Sequence, residues 1–146
     1  MAGFSDDLEA IITNAILCNK NLSSNIIVAA TPITAWWIGL HTADPGDSGT
    51  QGVSEGGYAA YTRISVARTT TGFAASTSVG QASPVANIDF PQVATTSTGT
   101  FSFLSIGTSS GTTGTQIIAS GAISPVINFS QNVTPRITTG SSFTLD

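Results

Sequence analysis

Charge is what this chain lacks most. Of its 146 residues only 8% are Asp, Glu, Lys or Arg, against roughly 25% in an ordinary soluble protein. Lys20, Arg63, Arg68 and Arg136 are its only strong bases, and the formal net charge is -4. A phosphate backbone is gripped by clustered Lys and Arg. Four scattered bases therefore exclude nucleic acid as an expected partner. The one cysteine, Cys18, excludes an intramolecular disulfide and a multi-cysteine zinc site. No apolar run reaches the roughly 20 residues of a membrane-spanning helix, so no membrane partner is expected. The start of the chain has no basic segment of the secretory-signal kind. With a single histidine, His41, imidazole general-base chemistry has one candidate only.

In place of charge the chain carries hydroxyls: 22 Thr and 19 Ser. Hydroxyl-rich, β-branched sequence studded with glycine favours strands and turns over helices. A soluble monomer normally relies on interspersed charges to stay dispersed. A surface without them points to a protein covered by partners or by copies of itself. The length suits one domain, since a chain of this size buries about two-thirds of its unfolded surface.

The first segment has its own period. In "GFSDDLEAIITNAILCNK", Phe4, Leu8, Ile11, Ile12, Ala15 and Ile16 recur at spacings of three and four, which marks one face of a helix. Ser5 is a good N-cap, and Asp6, Asp7 and Glu9 occupy the first turn, where the helix dipole favours negative charge. Lys20 lies near the far end, as that dipole prefers. The spacing predicts a helix over about Asp6 to Cys18. A 13-residue helix is marginal alone, so Phe4, Leu8, Ile11, Ile12 and Ala15 are expected to dock on a partner or on the rest of the chain.

After "NLSSNIIVAATP" the period falls to about two. "ITAWWIGLHT" reads as a buried strand, with Trp36 and Trp37 on opposite faces. "YAAYTRISVAR" alternates, with Thr62, Ile64 and Val66 on one side and Tyr61, Arg63 and Ser65 on the other. "PVANIDF" puts Ala86, Ile88 and Phe90 together. "GTFSFLSIG", "TQIIASGAI", "PVINF", "VTPRITT" and "SSFTLD" read as further short strands separated by Gly, Pro and Thr/Ser clusters. About eight short strands predict a mainly β fold, a jelly-roll-like β-sandwich with one N-terminal α-helix. The expected organisation is a helical segment over 1–22, a linker over 23–32 and a β-sandwich domain over 33–146.

The stretch most open to a chemical reading is "IGLHTADPGDSGTQGVSEGGYAAYTR", Ile38 to Arg63. It holds His41, Asp44, Asp47 and Glu55. A Ser-His-Asp hydrolase needs an activated serine on a strained turn such as G-x-S-x-G, and the chain has none. His41 is expected to end its strand and bond its own loop. The EF-hand pattern is absent, although Asp44, Asp47, Glu55 and carbonyls could still assemble a calcium site. The competing reading is a turn: Asp44 bonds the backbone ahead, Pro45 fixes φ and Gly46 supplies a positive φ. "GTSSGTTGT" lacks the lysine and the following helix of a phosphate-binding loop. No catalytic, cofactor or metal-binding residue is assigned.

The same stretch resembles a bacteriophage virion structural protein family. There an apolar strand runs into "LHTADPG", a Gly-rich segment, "GGYAR" and another strand. "ANIDFPQVA", "TGTFSFLSIGTSSGTTGTQIIASGAI" and "ITTGSSFTLD" are similar to its continuation. The basic residue departs from the pattern, because "GGYAAYTR" delays it to Arg63. The resemblance covers about Ile33 to Asp146, with the family's short N-terminal helix similar to Ser5 to Cys18, and implies no catalytic residues. Members are tail-fibre-like, and related small β proteins decorate capsids.

The resemblance therefore implies a virion protein, with capsid decoration (cement) on the major capsid protein as the leading expectation. A tail, neck or tail-fibre component is the alternative, and a glycan-binding module using an exposed Trp comes third. A homo-oligomer is expected, a trimer by family analogy. Its contacts are expected at Phe4, Leu8, Ile11, Ile12, Ala15, Trp36, Trp37, Asp44, Pro45, Gly46 and Tyr58, with another virion protein as the other partner.

Overall fold

The computed structural model describes residues 6–18, 33–46, 50–74, 80–111 and 117–144. Among the described residues one helix, α1 (Asp6–Cys18), precedes nine strands: β1 (Ala35–His41), β2 (Ile64–Ala67), β3 (Phe73–Ala74), β4 (Gln81–Pro84), β5 (Ile88–Asp89), β6 (Gly99–Gly107), β7 (Ile117–Phe129), β8 (Arg136–Ile137) and β9 (Phe143–Thr144). They form three sheets, ordered β2-β1-β6-β7, β3-β4-β9 and β5-β8. The fold is mainly β, as the two-residue period predicts, and is consistent with the sandwich class. The chain divides into two compact units: Met1–Ala35 with Val66–Asn87 and Thr138–Asp146, and Trp36–Ser65 with Ile88–Ile137.

The first unit holds α1 and the β3-β4-β9 sheet. Its antiparallel pairs run Phe73↔Pro84 and Ala82↔Phe143. Phe73, Ala82, Leu17 and Cys18 are buried, and Phe143 meets Phe73 edge-on at 5.7 Å between centroids. The helix falls where its period predicts, and among its described side chains the most buried are not those of the expected stripe. Thr13, Leu17 and Cys18 are buried, whereas Ile12 and Ala15 are only half-buried. Thr13 and Leu17 are four apart and so share a face. The polar member is tolerated there because its Oγ1 donates to the Gly80 carbonyl at 3.1 Å. Phe4 and the side chains of Leu8 and Ile11 lie outside the described residues.

The helix C-terminus is also met differently. Lys20 falls outside the described residues. Arg68, fifty residues on, donates Nε to Ile16 O at 2.7 Å and Nη2 to Ala15 O at 2.9 Å. A guanidinium on the last carbonyls answers both their missing hydrogen bonds and the negative end of the dipole. Burial alone would lower the Arg68 pKa, so these bonds stabilise a charge partly removed from water.

In the second unit β6 is the central strand. It pairs antiparallel with β1 through Leu40↔Leu104 and His41↔Phe103, and with β7 through Ser105↔Ser120 and Ile106↔Ala119. β1 is buried from Ile38 to His41, so it reads as a near-continuous apolar run and not as an alternating one. Trp36 is buried and Trp37 half-buried, as two rings on opposite faces of a strand should be. Phe101, Phe129 and Tyr58 form the middle of the core. The Phe101 and Phe129 rings stack at 4.6 Å, and Tyr58 tilts against Phe129 at 5.5 Å. Each such ring stabilises by about 2–3 kcal/mol through burial.

Two features differ from the predicted strands. "TQIIASGAI" and "PVINF" are one strand, β7, continuous through Ser124 and Pro125. The segment around Phe73 to Pro84 also forms the short strands β3 and β4. Their Ser/Ala/Gly composition gives no alternation to read.

Candidate functional site

The site is the loop that leaves β1 at His41 and returns to Arg63. It folds back along β1 as an irregular third strand. Thr42 N donates to Ser54 O and Gly56 N to Leu40 O, both at 3.0 Å, and His41 bridges Glu55. A tight turn precedes the return, closed by Val53 N to Thr50 O at 3.0 Å, and Ser54 follows it at φ 52. Gly56 has to be glycine. A Cβ there would sit 1.8 Å from Phe101 Cε1.

The loop is locked by an ion pair set into the core. Arg63 Nε donates to Glu55 Oε1 and Nη2 to Glu55 Oε2, both at 2.8 Å. The side chains are 3% and 14% exposed. The remaining nitrogen, Nη1, donates to Ser109 O and to Gly111 O. One guanidinium thus ties together the loop, the approach to β2 and the turn after β6. The planar fork suits this bidentate role in a way a lysine cannot. Tyr61 completes the clamp. Its hydroxyl accepts from Leu40 N at 2.8 Å and donates to Glu55 Oε1 at 3.1 Å. Burial, with the carboxylate beside it, pushes the Tyr61 pKa well up, so the phenol stays a donor.

Beneath the clamp lies a second polar group of contacts. His41, Gln51 and Ser105 have no exposed surface. His41 Nδ1 is 2.9 Å from Val53 O and Nε2 is 2.7 Å from Ser105 Oγ. A carbonyl can only accept, so the proton is on Nδ1 and Nε2 accepts from the serine. Ser105 Oγ accepts in turn from Gln51 Nε2 at 3.0 Å, which also donates to Trp37 O at 2.8 Å. Gln51 Oε1 is buried and takes no hydrogen bond from the described residues. It lies where a Cβ on residue 107 would be, 2.0 Å away, which explains glycine at that position of β6. Burial lowers the His41 pKa, against smaller opposing effects of Val53 O and Glu55.

A serine hydroxyl on a neutral imidazole is the start of a hydrolase dyad. Here neither residue has exposed surface. The bonds tie β1, β6 and the loop together, and His41 bonds its own loop as the strand-end position suggests.

The acidic residues do not converge. Glu55 has both oxygens on Arg63. Asp44 Oδ1 accepts from Gly46 N at 2.9 Å and Gly46 has φ 74, which is the Asp-Pro-Gly turn that the sequence predicts. Asp47 lies outside the described residues. Among the described residues no three His, Cys, Asp or Glu side chains gather as metal ligands.

Of the residues expected to contact a partner, Asp44 is exposed, Gly46 half-buried and Pro45 buried. Tyr58 differs from its expected place. It is 5% exposed, packs on Phe101, Phe129 and Tyr61 and donates its hydroxyl to Pro91 O. Its ring belongs to the core of its own chain, because the loop folds back on β1 and carries it inward. Arg63 differs in the same way: it is buried, while Thr62 is exposed and β2 starts only at Ile64. Sequence periodicity treated Arg63 as one residue of a polar face. The available signal was a lone Glu and a lone Arg eight residues apart in a chain with so few charges.

No curated protein sequence matches this chain. A family model does, over residues 3–143, and its description is podophage GP4 fiber I protein gp80. That span includes the helix, the clamped loop and all but the last residue of β9. By that match the chain belongs to this family of phage fibre proteins.

Proposed function

We propose that the chain is a structural subunit of a phage fibre, built into the virion as a homo-oligomer and acting by packing, not by catalysis. The family match over nearly the whole chain carries this reading. It favours the fibre alternative over capsid decoration, for which no feature of the chain speaks specifically. The geometry supports a packing role. The loop that looked chemical is a brace: Glu55 pairs with Arg63, and separately His41 and Gln51 bond Ser105 of β6. Its outer surface is left with hydroxyls and few charges, as suits a subunit whose neighbours are other virion proteins.

Location and copy number test the reading. Gold-labelled antibody against the chain, imaged on intact particles, is expected on the fibres. Quantitative mass spectrometry is expected to give a small copy number per particle. Label over the whole shell, with hundreds of copies, would instead establish decoration.

A further inference from the structure

We propose that β7 is the surface through which copies of this chain associate. The inference rests on the reading above for its occupant, a second copy of the same chain. Its grounds are in β7 itself.

β7 is 13 residues long and ends the β2-β1-β6-β7 sheet. Among the described residues no strand pairs with its outer side. An unpaired edge presents a row of N–H and C=O groups ready to bond another strand. Proteins that remain monomeric blunt such edges with charge, proline or a bulge. β7 has proline at one place, within an irregularity. Between the pairs Phe101↔Ile127 and Phe103↔Ala122, Ser102 alone faces the stretch from Ile123 to Val126, which includes Pro125. A second register shift falls at Ile118, between Ile106↔Ala119 and Gly107↔Ile117, and from Ala119 to Ala122 the ladder is regular, with neither charge nor proline to blunt its outer side.

Charge is absent altogether. No Asp, Glu, Lys, Arg or His occurs between Phe90 and Pro135, which takes in β6, β7 and the turn joining them. Burial also falls away toward this edge. Ile38 and Leu40 of β1 have no exposed surface, whereas Ile118 and Val126 of β7 are 40% and 45% exposed. Gly121 adds an independent sign. A Cβ there would meet nothing within 4 Å, and its φ is not positive, so this chain's own fold does not call for glycine. Glycine within a strand often marks the close approach of another backbone.

These features select the occupant. A partner with charged side chains would bury them against a surface with no counter-charge, which the loss of hydration disfavours. The matching surface is an equally uncharged strand with its own open edge and apolar side chains. Every copy of this chain carries one.

The test is the molar mass of the full chain by light scattering across a concentration series, for wild type, Ile118→Lys, Val126→Lys and the double variant. Val85→Lys is the control, since Val85 is an equally exposed apolar residue, 49%, outside β7. Circular dichroism and a urea melt verify folding. Wild type and Val85→Lys are expected to be oligomeric. The β7 variants are expected to remain folded with self-association weakened about tenfold to a hundredfold, because each lysine enters the contact from both copies and like charges face each other. A monomeric wild type overturns the proposal. So does a folded double variant that associates like wild type, and that result leaves the fibre reading standing and moves the interface elsewhere. Label found off the fibres would sink the fibre reading without touching the solution result.

Discussion

Removing Glu55 should cost this protein more than removing any other surface-loop carboxylate. In Glu55→Ala the Arg63 guanidinium stays where Ser109 O and Gly111 O hold it, 3% exposed, with no counter-charge. Two hydrogen bonds of 2.8 Å are lost, and Tyr61 loses the acceptor of its hydroxyl. Breaking a buried pair from one side costs about 3–5 kcal/mol, most of it the desolvation of the stranded ion. Glu55 keeps 14% of its side chain exposed, so water can partly reach the vacated place and the lower end, about 3 kcal/mol, applies. With a urea m-value of about 1.5–2 kcal/mol/M for a chain of this size, the midpoint should fall by about 1.5–2 M.

The double variant Glu55→Leu/Arg63→Leu separates attraction from stranding. If the penalty is mainly an unpaired buried charge, removing both partners should restore much of the loss. Restoration would be incomplete, because the carbonyls of Ser109 and Gly111 then lack a donor. Urea unfolding followed by tryptophan fluorescence reads all three proteins, with Trp36 and Trp37 next to the site in sequence. A Glu55→Ala midpoint within 0.5 M (about 1 kcal/mol at that m-value) of wild type would refute the view that this pair braces the loop.

Three further outcomes follow from the same geometry. Gly56→Ala places a methyl in hard overlap with Phe101 and should destabilise by about 3 kcal/mol or more through overpacking; Gly46→Ala meets open space but a φ of +74° and should cost only about 1–2 kcal/mol, so equal melting temperatures for the two would be contrary to expectation. Arg68→Ala leaves the last carbonyls of α1 unmet and should fray its C-terminus, seen as faster amide exchange in the first unit; unchanged exchange there would show that the guanidinium does not cap. Burial holds the His41 pKa below 6.5, so between the folded and unfolded values the unfolded chain binds the extra proton. The stability due to neutral His41 is therefore complete above about pH 6.5 and is lost as pH falls below it. The urea midpoint should drop from pH 7 to pH 5 in wild type and drop less in His41→Asn, and equal drops would refute it.

Local patterns were legible where one rule decides one element. In the sequence, Ser5 before an acidic first turn signals a helix start, and α1 begins at Asp6. An unbroken apolar run gives β1, and Asp44-Pro45-Gly46 gives its turn. What could not be read depends on pairs that the fold brings together. Thr13 looks like a break in the helix stripe until Gly80 O arrives to satisfy it. Arg68 looks like a surface charge until the carbonyls of Ala15 and Ile16 are set beside it. Ser105 is one of 19 serines, and nothing local distinguishes it before His41 and Gln51 close on it from β1 and the loop. Periodicity assigns a face to each residue of a strand, but at Arg63 the strand has not yet begun. Burial there is decided by a carboxylate eight residues earlier.

The scarcity of charge also bears on how the molecule divides its interactions. A chain with twelve formal charges places Glu55 and Arg63 inside and pairs Asp89 with Arg136 across β5 and β8. Arg68 goes to the helix end. The hydrogen-bonded exposed pair lowers the Asp89 pKa and raises that of Arg136, yet at the surface such a pair is weak and screened by salt. So among the described side chains the ionic groups are engaged within the chain, and the uncharged sequence of β6 and β7 has nothing with which to repel a like surface. Ordinary monomers avoid self-association by the opposite distribution, with charge kept outside and at sheet edges. A fibre subunit benefits from this one. The brace holds the fold from within by directional, charged bonds, and on the proposed reading the neutral edge of β7 is what receives the next copy. A lysine at Thr62, an exposed position of the loop, should then leave assembly alone, whereas a single lysine on β7 should disturb it. Assembly that responds to total net charge, and not to the position of the added charge, would contradict that division.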